Sequence, residues 1–211
     1  MSYLKEAWAH TAESIIKNMR PRGIEGHYCE TREEAVALVM NMMPQGSVIG
    51  WGGSMTLQES GLMEALESSD YTLLDRMTAK TDQEKLQMHA KMVMTDYYLM
   101  SANAITLDGQ LMNIDGNGNR VACLIHGPEH VIVLAGMNKV VPNEQAAYDR
   151  IRNMASPANA VRLGLNTPCA KLGVCKDCQQ TDCMCSVFVT TRRCKPAGRI
   201  QVVLIGEALG Y

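Results

Sequence analysis

One phenylalanine stands among 211 residues, and aromatic residues make up only 5%. A core of stacked rings is therefore excluded, and 16 methionines supply flexible apolar filling in its place. No apolar run approaches the roughly 20 residues needed to cross a bilayer. Charge of one sign is also missing. Twenty Lys and Arg stand against 22 Asp and Glu, for a net charge of -2. No block of like charge occurs, so nothing marks a nucleic-acid or membrane-surface footprint. Lys5 and Glu6 interrupt the N-terminus before any signal-peptide core can form. The expected compartment is the cytoplasm, where clustered cysteines serve as metal ligands or redox groups rather than structural disulfides. No Gly-Lys-Ser/Thr completes a P-loop, and no G-x-S-x-G elbow presents a serine. His10, His27, His89, His126 and His130 form no H-x-x-H or H-E-x-x-H pair.

What is present is a globular chain, 46% hydrophobic and 20% charged, long enough for one sizeable core. The opening segment reads as an amphipathic helix with Leu4, Trp8, Ile15 and Met19 near one stripe. Thr31-Arg-Glu-Glu34 and Thr81-Asp-Gln-Glu84 are capping-box patterns that open further helices. Another helix is expected from Thr56 to Ser68, and two more at Asn143–Met154 and Pro157–Leu165. Strands are expected at Ser47–Gly50, Tyr71–Leu74, Tyr98–Thr106, Gln110–Ile114, Arg120–Ile125, Val131–Ala135, Val187–Thr191 and Ile200–Ile205. Asp108-Gly109 and Asp115-Gly-Asn-Gly118 read as hairpin turns. Early helix–strand alternation with hairpins in the middle predicts a single α/β domain over residues 1–211, its sheet largely parallel with antiparallel insertions.

The compositional break is at 166–186. Five of the eight cysteines, Cys169, Cys175, Cys178, Cys183 and Cys185, fall within it. A C-x2-C unit flanked by further cysteines can turn back onto one metal, and soft thiolates select iron–sulfur clusters, zinc or Cu(I). The x5, x2, x6 spacing through Cys169, Cys175, Cys178 and Cys185 is neither a zinc-ribbon pair nor a bacterial ferredoxin run. Spacing alone leaves cluster and zinc both open, beside a redox thiol pair. Cys123, in an apolar segment, reads as a small buried hydrophobe.

A second candidate is the turn Gly50-Trp-Gly-Gly-Ser-Met-Thr56, which follows a strand and opens a helix. Gly52 and Gly53 allow a ligand close to the backbone, helix N–H groups attract an anion, and Ser54 and Thr56 add hydroxyls. A tight turn with Ser54 or Thr56 as N-cap explains the same residues. Asn103 and Asn113 sit inside apolar strands, where a buried amide needs partners. Lys139 follows a buried strand at the edge where open α/β sheets bind ligands.

Asn103-Ala-Ile-Thr, Asp108-Gly, Asp115-Gly-Asn-Gly-Asn-Arg120, Gly136-Met-Asn-Lys-Val140, Pro157-Ala-Asn-Ala-Val-Arg-Leu163 and Thr167-Pro-Cys-Ala together resemble the short, cysteine-tailed branch of the LUD (lactate-utilization) domain family. The resemblance implies a three-layer NagB/RpiA/CoA-transferase-like domain with a mixed sheet. It implies a site near the glycine turn and a tail that ligates through Cys169, Cys175, Cys178 and Cys185. A 4Fe-4S cluster is placed ahead of zinc, with Cys183 an extra thiol. The implied role is redox or electron transfer in lactate or organic-acid metabolism, with a small anionic molecule and a redox protein as partners. Lys139 would neutralise the anion and Asp115 act as general base. Two other readings are a non-redox enzyme with structural zinc and a non-catalytic subunit of a lactate-oxidation complex. CoA transferases of this fold use a glutamate nucleophile, and residues 101–120 contain no Glu.

Overall fold

Six parallel strands, described in a computed structural model covering residues 2–211, run in the order β1 (Glu25–Cys29), β10 (Ile200–Ile205), β7 (His130–Gly136), β4 (Tyr97–Met100), β2 (Val48–Trp51) and β3 (Thr72–Leu74). Side chains alternate across a strand, so each central strand feeds two cores. Along β7, Val131, Val133 and Ala135 enter one core, while Ile132 and Leu134 enter the other. Tyr98 and Met100 oppose Tyr97 and Leu99 in the same way on β4. This two-faced burial is why these strands read as continuous apolar runs.

Helices cover both faces. α1 (Tyr3–Met19), α5 (Asp82–Met92) and α6 (Asn119–Ile125) close the first core through Ala12, Ile15, Met19, Met92, Cys123 and Leu124. α2 (Arg32–Met42), α3 (Met55–Glu59) and α4 (Leu62–Glu67) close the second through Ala35, Val39, Leu57, Leu62 and Leu66. Each fully buried aliphatic side chain contributes roughly 1.5–3 kcal/mol. The result is the expected three-layer α/β arrangement around a parallel sheet.

The antiparallel pairs form a sheet of their own. β8 (Val140–Val141), β5 (Ala104–Thr106), β6 (Leu111–Asp115) and β9 (Val187–Thr191) lie in that order, and only β5–β8 is parallel. Ile105 and Leu111 join the first core, whereas Ala104, Met112 and Ile114 pack on Ala147 and Ile151. Those two residues belong to a helical path made of α7 (Glu144–Arg150), a π-helical turn (Ile151–Ala155) and α8 (Ser156–Arg162).

Several sequence expectations are corrected. Arg120–Ile125 is helical, because Gly118 takes a left-handed φ of 76° and starts α6 rather than a hairpin. Cys123 is buried as expected, but on that helix. Tyr98–Thr106 is two strands in different sheets, β4 and β5, with Ser101–Asn103 crossing between them. The helix expected over Thr56–Ser68 breaks at Gly61, whose φ of 82° separates α3 from α4. The helices expected at 143–154 and 157–165 are one path. Its π turn is closed by Ser156 N–H donating to the Ile151 carbonyl, just before Pro157, which has no N–H to give. β1 was not foreseen, since Glu-Gly-His-Tyr-Cys carries no apolar alternation.

Candidate functional site

The carboxyl ends of β2, β4 and β7 meet the second sheet around a cleft of about 330 Å³. Gly53 and Ser54 follow β2, Ser101 follows β4, and Lys139 ends the short turn after β7. Asn103, Ile114 and Asp115 enter from the second sheet, Arg120 from α6, and Ser156, Asn159 and Arg162 from α8. This is the edge at which open α/β sheets bind ligands.

Lys139 is 3% exposed. Its Nζ donates to Thr56 Oγ1 at 2.8 Å and Ser101 Oγ at 3.0 Å, and it forms no ion pair among the described residues. Burial pushes its amine down to about 7, and the Arg150 and Arg120 guanidiniums push the same way. An uncompensated buried amine lining a cleft is a mark of an anion or proton-transfer site.

Arg120 is the post that joins the two sheets at this point. Its guanidinium donates to Ser101 O (3.2 Å), Asn113 Oδ1 (2.7 Å), Asn103 Oδ1 (3.0 Å) and Ile114 O (2.6 Å). Its Nε lies 3.6 Å from Asp115 Oδ2. The glycine turn is shaped around arginines: a Cβ on Gly52 would stand 2.9 Å from Arg120 Cδ, and one on Gly53 would overlap Arg76 Nη2.

The sequence-predicted residues divide accordingly. Gly53, Ser54, Asn103, Asp115 and Lys139 line the cleft. Gly52 and Thr56 stand behind it, against Arg120 and Lys139. Ser54 caps α3 by accepting the Leu57 N–H at 3.4 Å. The helix that this turn opens, α3, has 5 residues. Asn113 is buried beneath Arg120, its Nδ2 without a partner among the described residues. Asp115 Oδ1 accepts N–H bonds from Asn117 (3.1 Å) and Gly118 (2.9 Å), and Oδ2 accepts from Val121 (3.3 Å).

The cysteines gather in a neighbouring cavity of about 50 Å³, lined by Cys169, Cys175, Cys178, Cys183 and Cys185 together with Arg152, Met184 and Phe188. All are free thiols. Cys183 is brought in as fully as the other four. Arg152 Nε donates to Cys175 Sγ at 3.2 Å, while its Nη1 holds Tyr148 Oη (2.7 Å) and its Nη2 holds Asp177 (2.8 Å). Cys169 Sγ contacts Thr167 Oγ1 at 3.2 Å, and Cys185 Sγ contacts Ser156 Oγ at 3.4 Å. Burial raises the Cys185 thiol to about 11. Ser156 and Met184 line both cavities.

The LUD domain model matches residues 12–205. The chain belongs to the LUD domain family. No curated protein sequence matches it. A crystal structure of a DUF162 family protein from Deinococcus radiodurans aligns over 97% of this chain and 99% of that one, at 13% identity and a TM-score of 0.51, a likeness of fold. Ribose 5-phosphate isomerase A from Methanocaldococcus jannaschii aligns over 55% of this chain and 54% of that one, at 18% identity and a TM-score of 0.33.

In this LUD domain the cysteine donors suit a soft metal, since five cysteines line one small space on a segment whose backbone is left-handed at Gly173 (φ 74°) and Asp177 (φ 53°). As they stand, no three His, Cys, Asp or Glu groups among the described residues surround a single ion. The sequence reading missed Arg76, Arg120, Arg152 and Arg162. Arg120 and Arg162 both lay within quoted motifs, but a strand assignment pointed attention away from Arg120, and nothing in its motif singled out Arg162. Arg76 and Arg152 carry no local signal, because only the fold brings them to the cavities.

Proposed function

We propose that this LUD domain is a redox or electron-transfer protein acting on a small anionic organic acid. The cysteine cavity would hold a thiolate-ligated metal centre, a 4Fe-4S cluster ahead of zinc. The supporting observation is the shared wall: Ser156 and Met184 face the thiols on one side and the cationic cleft on the other. Such adjacency suits electron exchange between a bound acid and a metal centre.

Cys169, Cys175, Cys178 and Cys185 are the proposed ligands, and the Cys183 thiol lies within the same cavity. An iron–sulfur group bound there would supply one-electron transfer. Around it, Arg152 holds Cys175 in place and Ser156 meets Cys185. In the cleft, protonated Lys139 neutralises the acid's charge, with Ser101 and Thr56 orienting the ammonium. Both oxygens of Asp115 are occupied, so its role is to hold Arg120 and the start of α6. Lactate is the acid the family name suggests.

Anaerobic purification followed by iron, acid-labile sulfide and zinc analysis tests the proposal. Iron and sulfide in stoichiometric amounts, reducible by dithionite, are expected. Zinc without sulfide would make the loop a structural site and turn the cleft into that of a non-redox enzyme. Absence of both would remove the ligand assignment.

A further inference from the structure

The cleft carries more positive charge than a three-carbon monoanion matches. Arg76, Arg120, Lys139 and Arg162 line it, against one side-chain carboxylate, that of Asp115. Lys139 has only hydroxyl acceptors. Arg162 bonds to Asn159 Oδ1 and Tyr211 Oη, both neutral groups. The Arg76 side chain has no hydrogen bond or ion pair among the described residues, and its guanidinium lies over Gly53. Arg120 spends four of its bonds on neutral oxygens and meets Asp115 only at 3.6 Å. One bound carboxylate would leave much of this charge unmatched.

We infer that the ligand of this cleft is an organic acid larger than lactate with at least two anionic groups, a polycarboxylate or a phosphate ester. The inference rests on the reading of the cleft as the acid site and gives it a narrower substrate class. Lys139 anchors one anionic group at the cleft floor, and Arg76 and Arg162 take the second. Guanidinium forks suit both carboxylate and phosphate oxygens.

Binding should also move a proton. Burial, then Arg150 and Arg120, disfavour protonation of Lys139, and Glu59 favours it. Two hydroxyls complete its surroundings. An anion placed beside the amine restores the charged form, so a polyanion binding at pH 8 should take up a proton from buffer.

Isothermal titration at fixed ionic strength, with L-lactate, citrate and 3-phosphoglycerate as probes, tests this. Citrate or 3-phosphoglycerate should bind at least tenfold more tightly than L-lactate, and whichever is tighter tells carboxylate from phosphate. R76A and R162A should each weaken that polyanion by about tenfold, and K139Q should abolish the proton uptake seen across buffers of different ionisation enthalpy. Tighter or equal binding of L-lactate overturns the inference while leaving the redox reading in place. Arginine variants without effect also overturn it. Failure of all three probes removes the cleft as an acid site, whatever metal analysis of the same preparation reports.

Discussion

The cationic cleft and the cysteine cavity touch at Ser156 and Met184, yet they are held by different means. The cleft is assembled from two sheets and three helices, its walls fixed by buried bonds such as the fork of Arg120. The cavity is assembled mainly from one loop, with Arg152 its strongest polar tie to the helices. A site built from packed layers is ready before its ligand arrives. A site built from a loop is completed by what it binds, as small metal sites commonly are.

This contrast can be broken outright. The double variant C175S/C178S should lose the metal completely while leaving citrate or phosphate-ester affinity within about twofold; loss of anion binding as well, by titration, would show that the two cavities depend on each other. R120A should destabilise the whole fold by about 3–5 kcal/mol in urea unfolding, because it strands buried oxygens of Asn103, Asn113 and Ile114 together with the Asp115 carboxylate.

The loop side responds more locally. R152M should weaken metal affinity about 10–100-fold in chelator competition, as loss of a group supporting a ligand usually does, with little change in urea midpoint. R152K, which keeps the charge but loses the fork, should recover only part of that affinity.

The smallest effect has the opposite sign. Lys139 is held at about 7, below its ordinary value of 10.5, so between those two pH values the unfolded chain binds more protons than the folded one. Wild-type stability should therefore rise from pH 7 towards pH 10, apart from other groups. K139M should be more stable than wild type by roughly 1–2 kcal/mol at pH 7, with the gap closing as pH rises. A gap that widens with pH would show that the amine is charged in the folded state throughout.

Legibility in the sequence followed the same division. β7 and β10 were readable because burial on both faces writes an apolar run, broken in β10 only by Gln201, and α5 because Thr81 and Glu84 bond each other's backbone at its start. The five clustered cysteines announced their cavity through density alone. Gly118 was misread because a left-handed glycine serves a hairpin turn and a helix start equally well, and that error hid Arg120. Gly52 and Gly53 were singled out as ligand-facing; Gly53 does line the cleft, and both also make room for arginine side chains, 68 and 23 positions further along the chain. Local pattern does not encode such long-range meetings. Lys139 was recoverable because its position after a buried strand is itself a topological rule.

The π turn at Ile151–Ala155 controls helical phase. One residue more than an α-helix needs lies between Arg152, which faces the thiols, and Asn159 and Arg162, which face the cleft. Winding the same residues as an unbroken α-helix would turn everything beyond by about 100°. Arg152 would keep its place beside Cys175 while Arg162 swung away from the cleft. A single helical irregularity thus sets the angle between the two cavities.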